Sequence, residues 1–203
     1  MNSQRINLAH RANTHTTRGV WHPVWFCLLL GLTVVTVVVT VNAATLAARV
    51  QGSGIHSARV VNEHLAYSGQ LVESDVEILK ALGFTAVINL AIYDFERNGE
   101  EDEWVTSQGL TYIHLPVDFS EPTEKDLLKF FDLLDALEGQ KVWVHCFVNY
   151  RASAFIYLYR RHRLGHKEAE AEGPLKEFWT PELKKRYPQW ADFIEIYRPN
   201  DSN

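Results

Sequence analysis

Eighteen consecutive residues without a charge, Val24 to Val41 (VWFCLLLGLTVVTVVVTV), divide this chain before anything else about it is decided. As a helix they span about 27 Å at ~1.5 Å per residue, close to the ~30 Å hydrocarbon thickness of a bilayer. A buried core element of that length, without a turn signal, does not suit a chain of 203 residues. Arg5, Arg11 and Arg18 precede the run and residues 1–50 hold no Asp or Glu, so the positive-inside bias keeps residues 1–23 in the cytoplasm and sends the remainder of the chain outward. Residues 24–44 are therefore expected to be a transmembrane anchor, making the chain a single-pass membrane protein of the cell envelope with its domain on the non-cytoplasmic side. Val41 and Ala43 leave a signal sequence cut after Ala43, and a secreted domain, as the alternative. Residues 45–59, with Gly52, Ser53 and Gly54, read as a flexible linker, and residues 60–203 as one domain.

Beyond residue 50 the chain carries 16 basic against 25 acidic side chains, which argues against a general nucleic-acid binder. Only two cysteines occur, Cys27 and Cys146, too few for a disulfide framework or a Cys-based zinc site. Nothing in the composition speaks to oligomeric state.

Within residues 60–203, short apolar runs alternate with helical patterns, the mark of an α/β fold with a central, mostly parallel sheet flanked by helices. Strands are expected at Leu65–Tyr67, Thr85–Leu90, Thr111–Leu115 and Lys141–His145. Ser74 with Glu77 suggests a capping box for a helix ending at Gly83, and a short helix should precede Gly109. Pro122 and Thr123 should open a helix that places Leu127, Leu128, Phe130, Phe131, Leu134 and Leu137 on one side and closes at Gly139. ASAFIYLYRRHR, Ala152 to Arg163, reads as a helix with its cations at the negative end of the dipole. Thr180 and Pro188 start two closing helices whose Trp179, Tyr187, Trp190 and Tyr197 should pack on the domain.

The chemistry concentrates in VWVHCFVNYRAS, Val142 to Ser153. A buried strand delivers His145 and Cys146 into a turn of Phe147, Val148, Asn149 and Tyr150, and a helix is expected right after Arg151. Turn N–H groups, the helix N-terminus and a guanidinium fork together form an anion cradle, and the same field favours a thiolate. A lone cysteine at a strand end is otherwise a small core hydrophobe.

This segment, with AYSGQ (Ala66 to Gln70), VINL (Val87 to Leu90) and YIHLPV (Tyr112 to Val117), resembles the cysteine-dependent tyrosine and dual-specificity phosphatases, in particular a bacterial branch of small phosphatase-like proteins. The resemblance covers roughly Leu65 to Leu164. It implies the phosphatase fold, a phosphate loop of His145, Cys146, Phe147, Val148, Asn149, Tyr150 and Arg151, a phosphocysteine intermediate, no metal or other cofactor, and an Asp acid on an earlier loop. The expected substrate is a phosphorylated protein or a small phosphomonoester. Cys146 would attack phosphorus, Arg151 would bind the oxygens, His145 would tune the thiol and Ser153 would help it leave. Asp118, 28 residues before Cys146, is the candidate acid, with Glu121 and Asp94 as competitors.

One departure matters. Arg151 lies five residues after Cys146 where the family pattern has six, and Ala152 takes that place, while Ser153 keeps the seventh. Asn149 falls where the family has Gly, and Asn tolerates a left-handed backbone. The short loop also resembles that of rhodanese-type sulfurtransferases, so a persulfide carrier and a catalytically impaired phosphate-binding module stay open as alternatives. Elsewhere, Glu100 to Glu103 reads as an exposed first helical turn, Arg160 to Arg163 as a solvated helix end, and His114 as structural.

Overall fold

The computed structural model describes residues 45–200. Five strands form one sheet: β1 (Arg59–Val60), β2 (Leu65–Ser68), β3 (Ala86–Asn89), β4 (Thr111–His114) and β5 (Val142–His145). Their order is β1-β2-β5-β3-β4, and only the β1–β2 edge pair is antiparallel. Strand β5 lies between β2 and β3, with Val142 opposite both Leu65 and Ala86. Every residue of β2, β3 and β5 is buried, as expected for parallel strands covered on both faces. The edge strand β4 is partly exposed.

Side chains alternate across the sheet and sort into two cores. Leu65, Tyr67, Ala86, Ile88, Val142 and Val144 face one, and Ala66, Val87 and Trp143 the other. The first core is covered by α5 (Glu124–Ala136), α6 (Tyr150–His162), α7 (Glu168–Phe178) and α9 (Pro188–Tyr197). The second is covered by α1 (residues 45–51), α2 (Glu73–Ala81) and α4 (Glu101–Ser107). Two short helices, α3 (Phe95–Asn98) and α8 (Pro181–Arg186), complete the order. Trp143 anchors the second core, edge-on to Phe84 at 4.9 Å, and its Nε1–H donates to Ser68 Oγ at 2.8 Å, so its one polar atom is satisfied. The helix α6 is buried nearly all round because it is central: its Phe155 meets Phe130, Trp190 and Phe193, and its Tyr150 meets Trp179. The carboxy-terminal aromatics therefore pack as their spacing implied.

Several expectations change. Residues 45–58 are part of the domain, not a linker: Leu46, Val50 and Ile55 are buried in the second core, and Gly69 N–H donates to the His56 carbonyl. Helix α2 starts one residue before Ser74. Its N-cap is Val72, whose N–H donates to the Asp75 carboxylate, so the acidic residue one place after Ser74 closes the helix end. Leu128 lies off the buried stripe of α5, which is Leu127, Phe130, Phe131 and Leu134 at helical spacing. Helix α7, with Gly173 and Pro174 inside it, was not visible in the pattern. The cations at the end of α6 are not simply solvated: Arg160 donates to the Glu170 carbonyl and Arg161 to the carbonyls of His166 and Pro199, tying α6 to later segments of the chain. Thr123, Thr180, Gly83 and Gly139 cap their helices as expected, the two glycines at φ 85° and 82°.

Among the described residues no helix is long and apolar enough to cross a membrane. The expected cytoplasmic segment, the anchor at 24–44 and Cys27 lie outside the described residues.

Candidate active site

Period-two alternation sets the stage at the end of β5. Cys146 follows Val142 and Val144 into the first core, while Trp143 faces the second. A ligand site is favoured at this point, outside the carboxyl ends of parallel strands and beside a strand inserted between two earlier ones. Three backbone bonds hold the loop: Cys146 N–H to Ser68 O, Leu90 N–H to His145 O, and Gln70 N–H to Phe147 O at 3.0 Å.

The turn is short because Asn149 adopts the left-handed conformation, at φ 66°, and α6 begins at Tyr150. Arg151 thus lies inside the first helical turn, not before the helix as the sequence suggested. First-turn N–H groups have no intrahelical acceptor, so the end of α6 is an anion-binding terminus directly after the thiol. Asn149 Nδ2 donates to the Ser57 carbonyl at 2.8 Å, which pins the loop to the segment after α1. Replacing Asn149 with Ala adds left-handed strain and removes that bond, and should cost about 2 kcal/mol in urea unfolding. Asn149→Gly, which tolerates the backbone, should cost about half as much. Equal losses in the two variants would show that the backbone angle contributes nothing.

Cys146 is a free thiol with no exposed surface. The Arg151 side chain, also buried, sits beside it. Its Nε–H donates to the Val117 carbonyl at 2.8 Å, and its guanidinium lies over the Phe119 ring at 5.0 Å and near Phe147 at 6.0 Å. Burial pulls the guanidinium below its usual range, opposed by the charge and a hydrogen bond of Cys146 and by the charge of Asp118. With Nε committed to Val117, the Nη edge is what remains for an oxyanion.

The loop after β4 brings Val117, Asp118 and Phe119 to this point. Phe119 is fixed from behind: its carbonyl accepts from Trp190 Nε1 at 2.8 Å and from Gln189, and its ring meets Tyr187 edge-on. Asp118 is exposed, and its Oδ1 accepts from both the N–H and the hydroxyl of Ser120. Those two bonds hold its carboxyl below the usual carboxylate range, with Arg151 adding to the effect. Asp94, one competitor for the acid role, is the N-cap of α3 and accepts from Glu96 and Arg97. His114 bonds the Ala91 carbonyl, in keeping with a structural role.

Ser153 is buried in the first turn of α6, and its hydroxyl donates to the Tyr150 carbonyl at 3.1 Å. Glu101 differs most from its expected role. It is fully buried, its Oε1 lies 2.5 Å from His145 Nε2, and its Oε2 accepts from Gln70 Nε2 at 3.0 Å and from Asn89 Nδ2 at 3.4 Å. Four acidic residues in a row concealed it, although its spacing from buried Val105 marks the inner face of α4. On the loop itself Val148 is exposed and Arg97 lies over the Phe147 ring at 4.7 Å, while Ile92, Tyr93 and Phe95 are exposed after β3.

Known proteins give this geometry a class. A DUF442 protein of Shewanella putrefaciens, named as a phosphatase, is 33% identical, with 72% of this chain and 92% of that one aligned at a TM-score of 0.63. TpbA of P. aeruginosa, solved in complex with pTyr, is 16% identical over 71% of this chain and 95% of its own, TM-score 0.52. The catalytic core of the S. cerevisiae PP-IP phosphatase SIW14 is 14% identical over 73% and 88%, TM-score 0.59. The latter two share the fold. No family model matches the chain, and a search of curated proteins finds no relative. The fold is that of the tyrosine and dual-specificity phosphatase-like proteins. Within that class the chain belongs to the DUF442 family.

Proposed function

We propose that this protein hydrolyses phosphomonoesters through a phosphocysteine intermediate while tethered to a membrane by residues 24–44. The observation that carries the chemistry is the Arg151 guanidinium held beside the Cys146 thiol at the start of α6. In the first step the Cys146 sulfur attacks phosphorus, an S–P bond forms, the ester P–O bond breaks, and the leaving oxygen takes a proton from Asp118. Arg151 Nη groups and the N–H groups of the turn stabilise the equatorial oxygens. Water then attacks the phosphocysteine, the S–P bond breaks, and phosphate leaves with the thiolate restored.

Phosphate release from para-nitrophenyl phosphate by the full chain in detergent, with rapid-quench capture of labelled phosphate on the peptide containing Cys146, tests the reading. Thiocyanate formation from thiosulfate and cyanide without phosphate release would favour the sulfurtransferase alternative, and phosphate binding without turnover the impaired module. The tether is tested by alkaline extraction of membranes, and its orientation by protease accessibility. Recovery of the chain in the soluble fraction would remove the tether.

The state of Asp118 sets a pH dependence. Only its protonated form can act as an acid, and the Ser120 bonds favour the carboxylate, so the loaded fraction falls as pH rises from the acid side. Turnover of alkyl phosphates should therefore already be falling through the acid range as pH rises, and Ser120→Ala should move that limb to higher pH. Asp118→Asn should slow an alkyl phosphate by about a hundredfold and an aryl phosphate far less. Equal losses on both substrates would remove Asp118 from the mechanism.

A further inference from the structure

We infer that Glu101 is a positioning residue for the nucleophile, acting through His145. This rests on Cys146 being the attacking atom. Two ionisable side chains with no exposure, 2.5 Å apart, depend on each other in the interior, where removing either leaves the other buried without a partner. Glu101 Oε2 is occupied by the amides of Gln70 and Asn89, which leaves Oε1 for His145 and fixes the imidazole on the residue adjoining Cys146. His145 Nδ1 is buried and has no hydrogen-bond partner among the described residues, so the ring's one close polar approach is Nε2 against Glu101 Oε1. Glu101 also reaches the loop by a second route: Gln70, bonded to it by the side chain, donates its backbone N–H to Phe147 O.

Neutral side chains link the strands here, Asn89 Nδ2 on β3 donating to the Tyr112 hydroxyl on β4 at 3.1 Å, whereas α4 meets β5 through the Glu101 carboxylate against His145. The other charged or titratable groups around the site are Tyr112 on β4, pushed up to about 12 by burial and then by the charge of Glu101, Asp102 on α4, Arg97 on α3, Arg151 on α6 and Asp118 on the β4–α5 loop. Among the described residues it is Glu101, and none of these, that forms an ion pair with the His145 ring. The pair stands on the residue that adjoins the sulfur, so losing the carboxylate strips the buried ring of its partner.

The test is alkylation of Cys146 by iodoacetamide, followed by intact mass on the full chain in detergent from about pH 5.5 to 9.5, because it reads the thiol without requiring turnover. Glu101→Gln, isosteric and uncharged, should slow alkylation about tenfold near pH 6 and converge with the parent near pH 9.5. Its kcat should fall with KM within about twofold, and Glu101→Asp should recover part of both. In a His145→Gln background Glu101→Gln should add nothing. Should Glu101→Gln fail to fold, His145→Gln carries the same test and should show the same loss near pH 6. A folded Glu101→Gln or His145→Gln chain with the parent's alkylation profile overturns the role. A parent chain that alkylates as expected yet releases no phosphate leaves the role intact and removes the phosphatase reading.

Discussion

Cys146→Ser should abolish phosphate release, by at least about a thousandfold in kcat, because a serine alcohol at this position has no base to ionise it. The same field that suits a thiolate offers no proton acceptor to an alcohol: Arg151 is a cation, and the carboxylate of Asp118 is turned to Ser120. The substitution also places a hydroxyl in the first core at a position without exposure. That should cost about 1–3 kcal/mol of stability if no partner is found, so the urea midpoint is measured beside the rate. A folded Cys146→Ser chain that keeps its rate would show that another residue carries the phosphoryl group. Vanadate affinity should fall with the nucleophile while inorganic phosphate binding persists, since Arg151 and the loop N–H groups are untouched.

How far the fold was legible depended on whether neighbours in sequence did the deciding. The strands β2, β3 and β5 are continuous apolar runs, and Cys146, Asn149 and Arg151 lie within six residues of one another, so local spacing was enough to place them in one turn. Asn149 was readable as left-handed because few residue types accept that conformation. What escaped was decided at long range. Gly52, Ser53 and Gly54 look like a tether, yet Leu46, Val50 and Ile55 on either side of them are held by α2 and β2, which no local pattern reveals. Gly173 and Pro174 hid α7, a helix held by its packing on α6 rather than by propensity. Glu101 stood in a run of four acids whose other members are not buried, and only the sheet brings His145 to it. The start of α6 at Tyr150 rather than after Arg151 was likewise not legible, because the left-handed Asn149 sets it.

The second large effect expected is from Arg151→Lys, which keeps the charge and should still lower kcat/KM by about a hundred- to a thousandfold. The guanidinium does three things at once. Its Nε–H holds the Val117 carbonyl, its plane lies on Phe119, and its remaining edge stands beside Cys146. A lysine ammonium is a point charge with no second edge: it can bond Val117 or an oxyanion near the sulfur, but cannot hold both in one plane. The bond to Val117 reaches further than binding, because Asp118 is the next residue and Phe119 the one after, and α9 already fixes that segment from the other side through Trp190. Losing it should free the acid side of the site while the Trp190 anchor keeps the loop from unfolding. Arg151→Lys should then slow alkyl phosphates more than aryl phosphates, whereas loss of charge stabilisation alone would slow both alike. Arg151→Ala should fall below Arg151→Lys on aryl substrates, where charge is what remains to matter. A lysine variant that keeps more than half the parent rate on both substrates would assign oxyanion binding to the N–H groups of the turn, the arrangement a small sulfur-transfer cradle would use.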